Sequence, residues 1–223
     1  MVIVADDYGY CASYDRGIAE SAAAGAVDAA SVMVGEGRDV DPEPLLSAAV
    51  GTGLHLELSW LRPGGRASQA ERERALEDLG RQLDLFASLF GRQASFLNGH
   101  RHCHAAPGLA AALARVAREH RLPVRSVSPR HRRLLRCVGV PTPDRLLGRY
   151  EEARPAMPAE LQSLLDGGVP PPGLSEWMVH PGYRDPACGS SYDAGREEDL
   201  RLLAELRSQE PLRGLRGGLD RAV

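Results

Sequence analysis

The apolar run Val2-Ile3-Val4-Ala5 ends in two adjacent carboxylates, Asp6 and Asp7, followed by Tyr8-Gly9. Neighbouring carboxylates repel each other and resist burial, and a cation or a shared proton relieves that cost. The same residues before a glycine also suit a simple turn. Further on, His100-Arg101-His102-Cys103-His104 follows the apolar pair Phe96-Leu97. In an extended chain the three imidazoles share one face, with Arg101 and Cys103 on the other. Three co-facing imidazoles are hard to explain as packing, and imidazole is the commonest metal ligand near neutral pH. Cys103 faces away and is not counted as a ligand. Gly53–Leu58 alternates strictly, with His55 and Glu57 opposite Leu54, Leu56 and Leu58. Trp177-Met178-Val179 ends in His180, and Pro181-Gly182 then forces a turn. Carboxylates and imidazoles at four such places suit metal-assisted hydrolysis.

These groups need a scaffold that gathers strand ends. Apolar runs of strand length lie at Val2–Ala5, Ala29–Val34, Gly53–Leu58, Ala94–His100, Pro123–Val127 and Trp177–His180. Between them lie helix-compatible stretches: Arg16–Ala24, Leu45–Val50, Gln69–Phe90, Leu109–His120 and Glu197–Leu206. The clearest is Gln69–Phe90, where Leu76, Leu79, Leu83, Phe86 and Phe90 recur at three- and four-residue steps before Gly91. Pro129 to Gly173 is rich in proline, arginine and glycine, and is read as long loops with one helix near Ala159–Leu165. Repeating βα units predict an α/β fold, a TIM-like (β/α) barrel that is incomplete or irregular, over one domain, 1–223. Catalytic groups in such folds lie at the C-terminal ends of strands, where the polar clusters fall.

The bulk numbers agree with a globular enzyme: 223 residues, 43% hydrophobic, 26% charged, net charge -3. That charge leaves no footprint for nucleic acid. The cluster Arg130 to Arg136 is read as a solvated loop. No run of about 18 apolar residues exists, so no membrane span is expected. No secretory signal is read at the N-terminus, and a cytoplasmic protein is expected. Cys11, Cys103, Cys137 and Cys188 lack CxxC spacing and are read as mostly free thiols. A homo-oligomer is compatible with all of this.

Several stretches resemble the YdjC-like carbohydrate deacetylases. Val2-Ile3-Val4-Ala5-Asp6-Asp7-Tyr8-Gly9 is similar to that family's opening strand, and Ala29-Ala30-Ser31-Val32-Met33-Val34 to its second. Gly53-Leu54-His55-Leu56 resembles its Gly-Leu-His-Leu motif. Asn98 to His104 resembles its His-x-His-x-His motif, and Val179-His180-Pro181-Gly182-Tyr183 its late His-Pro-Gly. The motifs arrive in family order over most of the chain. Asn98 stands where an Asp is usual, and Arg101 where Gln is frequent.

The resemblance implies hydrolysis of an N-acetyl group on a sugar by one divalent ion, zinc or magnesium, with manganese, cobalt or nickel as alternatives. Mixed N/O ligands suit the transition metals better than magnesium, although magnesium is often assigned in the family. Carried over by position, Asp7, His55 and His100 are the metal ligands, with His102 as the alternative to His100. Asp6 is the base, and His180, held protonated, stabilises the oxyanion or protonates the leaving amine. His104 and Trp60 are further site candidates, Trp60 as a stacking platform for an N-acetylated sugar. Two other readings compete: an amidohydrolase or phosphoesterase on a non-sugar substrate, and a sugar- or metal-binding protein without catalysis.

Overall fold

The computed structural model describes residues 1–62, 64–148, 158–166, 168–169 and 171–207. The strands are β1 (Val2–Tyr8), β2 (Ala29–Val32), β3 (Gly51–Leu56), β4 (Leu97–Gly99), β5 (Arg145–Leu147) and β6 (Ser175–Val179). They form one sheet in the order β4-β3-β2-β1-β6-β5, and every pairing is parallel. Among the described residues the sheet has two ends, so it is an incomplete TIM-like arc. The strand expected at Pro123–Val127 shrinks to a single bridge, Val124 to Leu97. Pro123 has no N–H to give to a ladder, and Val124 N–H instead donates to the Pro141 carbonyl at 2.9 Å.

Among the described residues, seven α-helices accompany the sheet: α1 (Ala12–Ala23), α2 (Glu43–Ser47), α3 (Gln69–Phe90), α4 (Ala110–Glu119), α5 (Pro129–Val138), α6 (Ala159–Leu165) and α7 (Asp193–Arg207). The bounds of α3 and α6 are those the sequence predicts. The capping box of Ser68 with Glu71 starts α3, and Gly91, at φ 63, stops it. Arg130 to Arg136 belong to α5 rather than to a loop. Ser128 caps that helix through the His131 N–H, Pro129 occupies its first turn, and Gly139 ends it at φ 82. Helix α5 buries only His131 and Leu135, so its arginines face outward and hid the helical period.

Alternation along each strand separates two environments. Ile3, Ala5, Ala30, Val32, Leu54, Leu56, Leu97 and Val179 pack against helix residues such as Ile18, Leu79, Leu83 and Phe86. Each fully buried leucine or phenylalanine there is worth about 1.5–3 kcal/mol. The concave face is narrower. Val2, Val4 and Ala29 gather on it with Phe96 and Leu174. Gly53 lacks a side chain because a Cβ there would lie 2.5 Å from the Phe96 ring. Above this apolar floor, towards the C-terminal strand ends, the same face carries Asp6, Ser31, His55 and Asn98.

Cys11 and Cys188 form a disulfide across 177 positions of sequence, joining the loop after β1 to the loop after β6. The expectation of free thiols therefore holds only for Cys103 and Cys137. A pairing of that span cannot be read from spacing, and disulfides belong mainly to oxidising surroundings. No helix among the described residues is long and apolar enough to cross a membrane.

Candidate metal centre

The site begins with a defect in β1. Its pairing with β2 slips between Ala5 and Tyr8, and Asp7 takes the left-handed region at φ 73. A regular strand would point Asp6 and Asp7 to opposite faces; a bulge re-aims them. Such a backbone costs about 1–3 kcal/mol and persists only where its surroundings over-determine it. Tyr10 N–H donates to the Asp7 carbonyl at 3.1 Å, and Gly9 N–H to Asp15 Oδ1 at 2.6 Å.

Asp7 Oδ1 lies 3.0 Å from His55 Nε2 and 2.9 Å from His100 Nδ1. The three donor atoms lie within 4.8 Å of one another, a spacing that could hold a metal ion. Hydrogen bonding fixes which His55 nitrogen is available. Asn98 Nδ2 donates to Asp6 Oδ1 at 3.0 Å, so Asn98 Oδ1 faces His55 Nδ1, at 2.6 Å, and accepts its proton. His55 Nε2 is then the nitrogen left to ligate, turned to Asp7. The donor set therefore fits a divalent ion through Asp7 Oδ1, His55 Nε2 and His100 Nδ1. Asn98, a departure from the resembled family's pattern, is the residue that sets the tautomer.

Asp6 is 1% exposed and crowded with donors. Its Oδ1 accepts from Ser31 Oγ at 2.7 Å and from Arg125 Nη2 at 2.8 Å, and its Oδ2 accepts from Arg125 Nη1. Arg125 Nε also donates to Glu176 Oε1 at 2.5 Å. Burial pushes the Asp6 carboxyl up, but Arg125 and then His55 outweigh it and hold it well below the usual range. Burial likewise opposes ionisation of Asp7, and hydrogen bonds from His100 and His55 overcome it. His55 is raised: burial lowers it, and the Asp6 and Asp7 charges prevail. His180 behaves in the opposite way. Burial takes it down to about 4 despite both aspartates, so it is neutral at pH 7 rather than protonated as the sequence reading expected. Its Nε2 is 3.9 Å from Asp7 Oδ2.

The histidine run does not stay extended. It forms a 3-10 turn, His100–Ala105, with Arg101 at φ 49 and His102 at φ 58. Two consecutive left-handed residues break the parity that predicted three co-facing imidazoles. Only His100 reaches Asp7. His102 lines the cavity wall, with its ring centroid 6.2 Å from that of His104. His104 is buried, its Nε2 3.0 Å from the Arg125 carbonyl, and its ring packs on His131. Cys103 turns away and donates to the Leu56 carbonyl at 3.2 Å. Trp60 Nε1 donates to Asp78 at 2.7 Å, and the Arg74 guanidinium sits 4.6 Å over its ring. That ring lines neither of the two cavities at the strand ends.

A cavity of about 450 Å³ holds Asp6, Asp7, His55, His100, His180 and Arg196. A second, of about 410 Å³, continues from it past Tyr10 and His102 to Arg38 and Glu57. Arg125, Glu176 and Arg196 escaped the sequence reading because arginine is abundant and none of the three ends a strand. The YdjC-like protein family model matches residues 1–213, and the chain belongs to that family. A human carbohydrate deacetylase is 32% identical over 136 residues, covering 49% of this chain and 42% of that protein. A carbohydrate deacetylase of Geobacillus stearothermophilus is 28% identical over 92% of this chain and 89% of its own length. A chitooligosaccharide deacetylase of Yersinia pestis (strain Pestoides F) is 26% identical over 56% of this chain and 58% of its own. The matched region spans less than half the length of the human and mouse relatives. The crystal structure of an Enterococcus faecalis V583 protein, named for cellobiose-phosphate cleavage, superposes with a TM-score of 0.73 at 22% identity. It covers 96% of this chain and 94% of its own, and it shows the shared fold.

Proposed function

Starting from membership of the YdjC-like family, we propose that this protein hydrolyses an N-acetyl group on an amino sugar or oligosaccharide, releasing acetate and a free amine. The observation that carries the reading is the pairing of a fixed carboxylate, Asp6, with a three-donor centre, Asp7, His55 and His100, in one cavity. The curated relatives' names, carbohydrate deacetylase and chitooligosaccharide deacetylase, supply the substrate class. One divalent cation bound there supplies Lewis acidity, polarising an amide carbonyl and acidifying water. The two imidazoles and one carboxylate favour zinc, manganese, cobalt or nickel over magnesium.

The protein's own groups then divide the work. Asp6 stays ionised against Arg125 and accepts the proton of the attacking water. Ser31, Asn98 and Arg125 hold Asp6 in a fixed orientation beside the centre, so no reorganisation is needed during the reaction. His180, neutral before the reaction, sits across from Asp6 and Asp7. It takes over the water's proton from Asp6 and gives it to the leaving amine, so that both groups end as they began. A second reading gives His180 the first proton as well. It is favoured by the donors on Asp6, which lower that carboxylate's proton affinity. The deciding experiment is an acetate-release screen over N-acetylated mono- and oligosaccharides with and without zinc or magnesium. Metal-dependent release is expected from at least one of them. No release from any sugar, with release from a simple non-sugar amide, would shift the assignment to a general amidohydrolase.

A further inference from the structure

Helix α7 carries Arg196 into the site from outside every motif of the sequence. Its side chain is 1% exposed. Nη2 donates to Asp7 Oδ2 at 2.6 Å, and the guanidinium lies 3.7 Å from the Tyr14 ring centroid and 5.8 Å from that of Tyr10. The Arg196 carbonyl accepts from Gly182 N–H at 3.3 Å, and Gly182 is glycine where a Cβ would sit 3.3 Å from Arg196 Cδ. Among the described residues, Arg196 Nε and Nη1 have no hydrogen-bond partner. A buried guanidinium with five donors thus makes one side-chain hydrogen bond, and it makes it to Asp7.

We propose that Arg196 is a positioning residue for the metal ligand Asp7. It pins Oδ2, leaving Oδ1 as the single oxygen that faces His55 and His100. Electrostatics alone argues against a cation here, since a fixed positive charge repels a divalent ion. Geometry argues the other way. Asp7 stands on a left-handed backbone at the tip of a bulge, and without Arg196 its carboxylate is free to rotate towards His180, 3.9 Å away. Partners that hold a ligating carboxylate commonly change metal affinity 10- to 100-fold when removed. The stack on Tyr14 keeps the guanidinium plane fixed, so the one hydrogen bond also has a fixed direction.

The inference rests on the reading of Asp7 as a ligand, and its test separates the two. Zinc is titrated into the metal-free full-length protein against a chromophoric chelator, for wild type, Asp7→Ala, Arg196→Met and Arg196→Lys. Cobalt absorption spectra report the ligand geometry, and circular dichroism melts report folding. Arg196→Met is expected to weaken zinc 10- to 100-fold and to alter the cobalt spectrum. Arg196→Lys keeps the charge and one donor but not the planar stack on Tyr14, and is expected to bind between wild type and Arg196→Met, within about tenfold of wild type. Wild-type zinc affinity with an unchanged cobalt spectrum in Arg196→Met, or tighter binding, overturns the proposal. So does a loss above tenfold in Arg196→Lys, which decides the matter if Arg196→Met does not fold. Wild-type affinity in Asp7→Ala would instead overturn the ligand assignment, and the role of Arg196 with it.

Discussion

Replacing Asp6 by asparagine tests the proposed base with the least change of shape. The introduced carboxamide oxygen can still accept from Ser31 and Asn98, but the new N–H₂ group would face a guanidinium N–H of Arg125, donor against donor. Leaving buried donors unsatisfied costs about 1–3 kcal/mol. The lower end applies, because Arg125 keeps Glu176 on its Nε and the triad of Asp6, Arg125 and Glu176 loses one of two negative charges rather than its only one. For a chain of this size that is a fall in Tm of about 2–4 °C per kcal/mol, so the variant folds. Asp7, His55 and His100 are untouched, so bound metal is retained. Turnover should fall by about 10²- to 10⁴-fold, the contribution of a positioned general base. Acetate release and metal content by mass spectrometry are measured on the same preparation. A metal-loaded Asp6→Asn enzyme within tenfold of wild type would remove Asp6 from proton transfer and leave that role to His180.

Three further outcomes follow from the same geometry. His100→Ala should lose stoichiometric metal while His102→Ala keeps it, since only His100 touches Asp7; equal metal content in the two variants would contradict the turn geometry of His100–Ala105. Reducing Cys11–Cys188, or replacing Cys188 by Ser, releases a loop of 177 positions, worth up to about 5 kcal/mol in loop-closure entropy; an unchanged melting curve with reductant would mean the bond contributes nothing. His104 and His131 are buried and held neutral, His104 well below its usual value and His131 at about 4, in both cases chiefly by burial. Folded values lie below the unfolded 6.5, so the unfolded chain binds more protons and stability is full above pH 6.5 and lost as pH falls. His131 alone, taken from 6.5 to about 4, removes about 1 kcal/mol between pH 6 and pH 5. Stability should fall less steeply with pH in urea melts of His131→Phe than in wild type, by about that amount, and an equal pH dependence in the two proteins would refute it.

The features visible in the sequence were those with short period or local chemistry. Helix α3 shows itself through Leu79, Leu83 and Phe86 and through its stop at Gly91. The positions of Asp7, His55 and His180 are visible because each ends or lies on an apolar run. What stayed hidden depends on contacts between distant residues. Arg125 meets Asp6 across 119 positions and Arg196 meets Asp7 across 189, and nothing about an arginine in a helix or a loop announces such a partner. The three-histidine argument misled for a different reason. It assumed a period of two where Arg101 and His102 adopt left-handed backbone, which is uncommon for residues other than glycine.

The bulge at Asp6-Asp7 explains why two carboxylates stand side by side at all. One residue must face down the concave channel, where Arg125 supplies a buried charge partner. The next must face the strand ends, where His55 and His100 converge. A regular strand sends adjacent side chains to opposite faces of the sheet, which would bury one of the two aspartates among Ile3, Ala5 and Val32, with no partner. Slipping the register after Ala5 and giving Asp7 a positive φ returns both to the same side. The strain is therefore a requirement of turning two consecutive carboxylates to the same side of the sheet. It also accounts for the density of restraints here: Arg125 holds Asp6 from below, Arg196 holds Asp7 from the side, and Gly9 permits the chain to turn at φ 90 immediately afterwards. By that logic the electrostatic cost of a buried arginine beside each carboxylate is offset by the geometry it preserves.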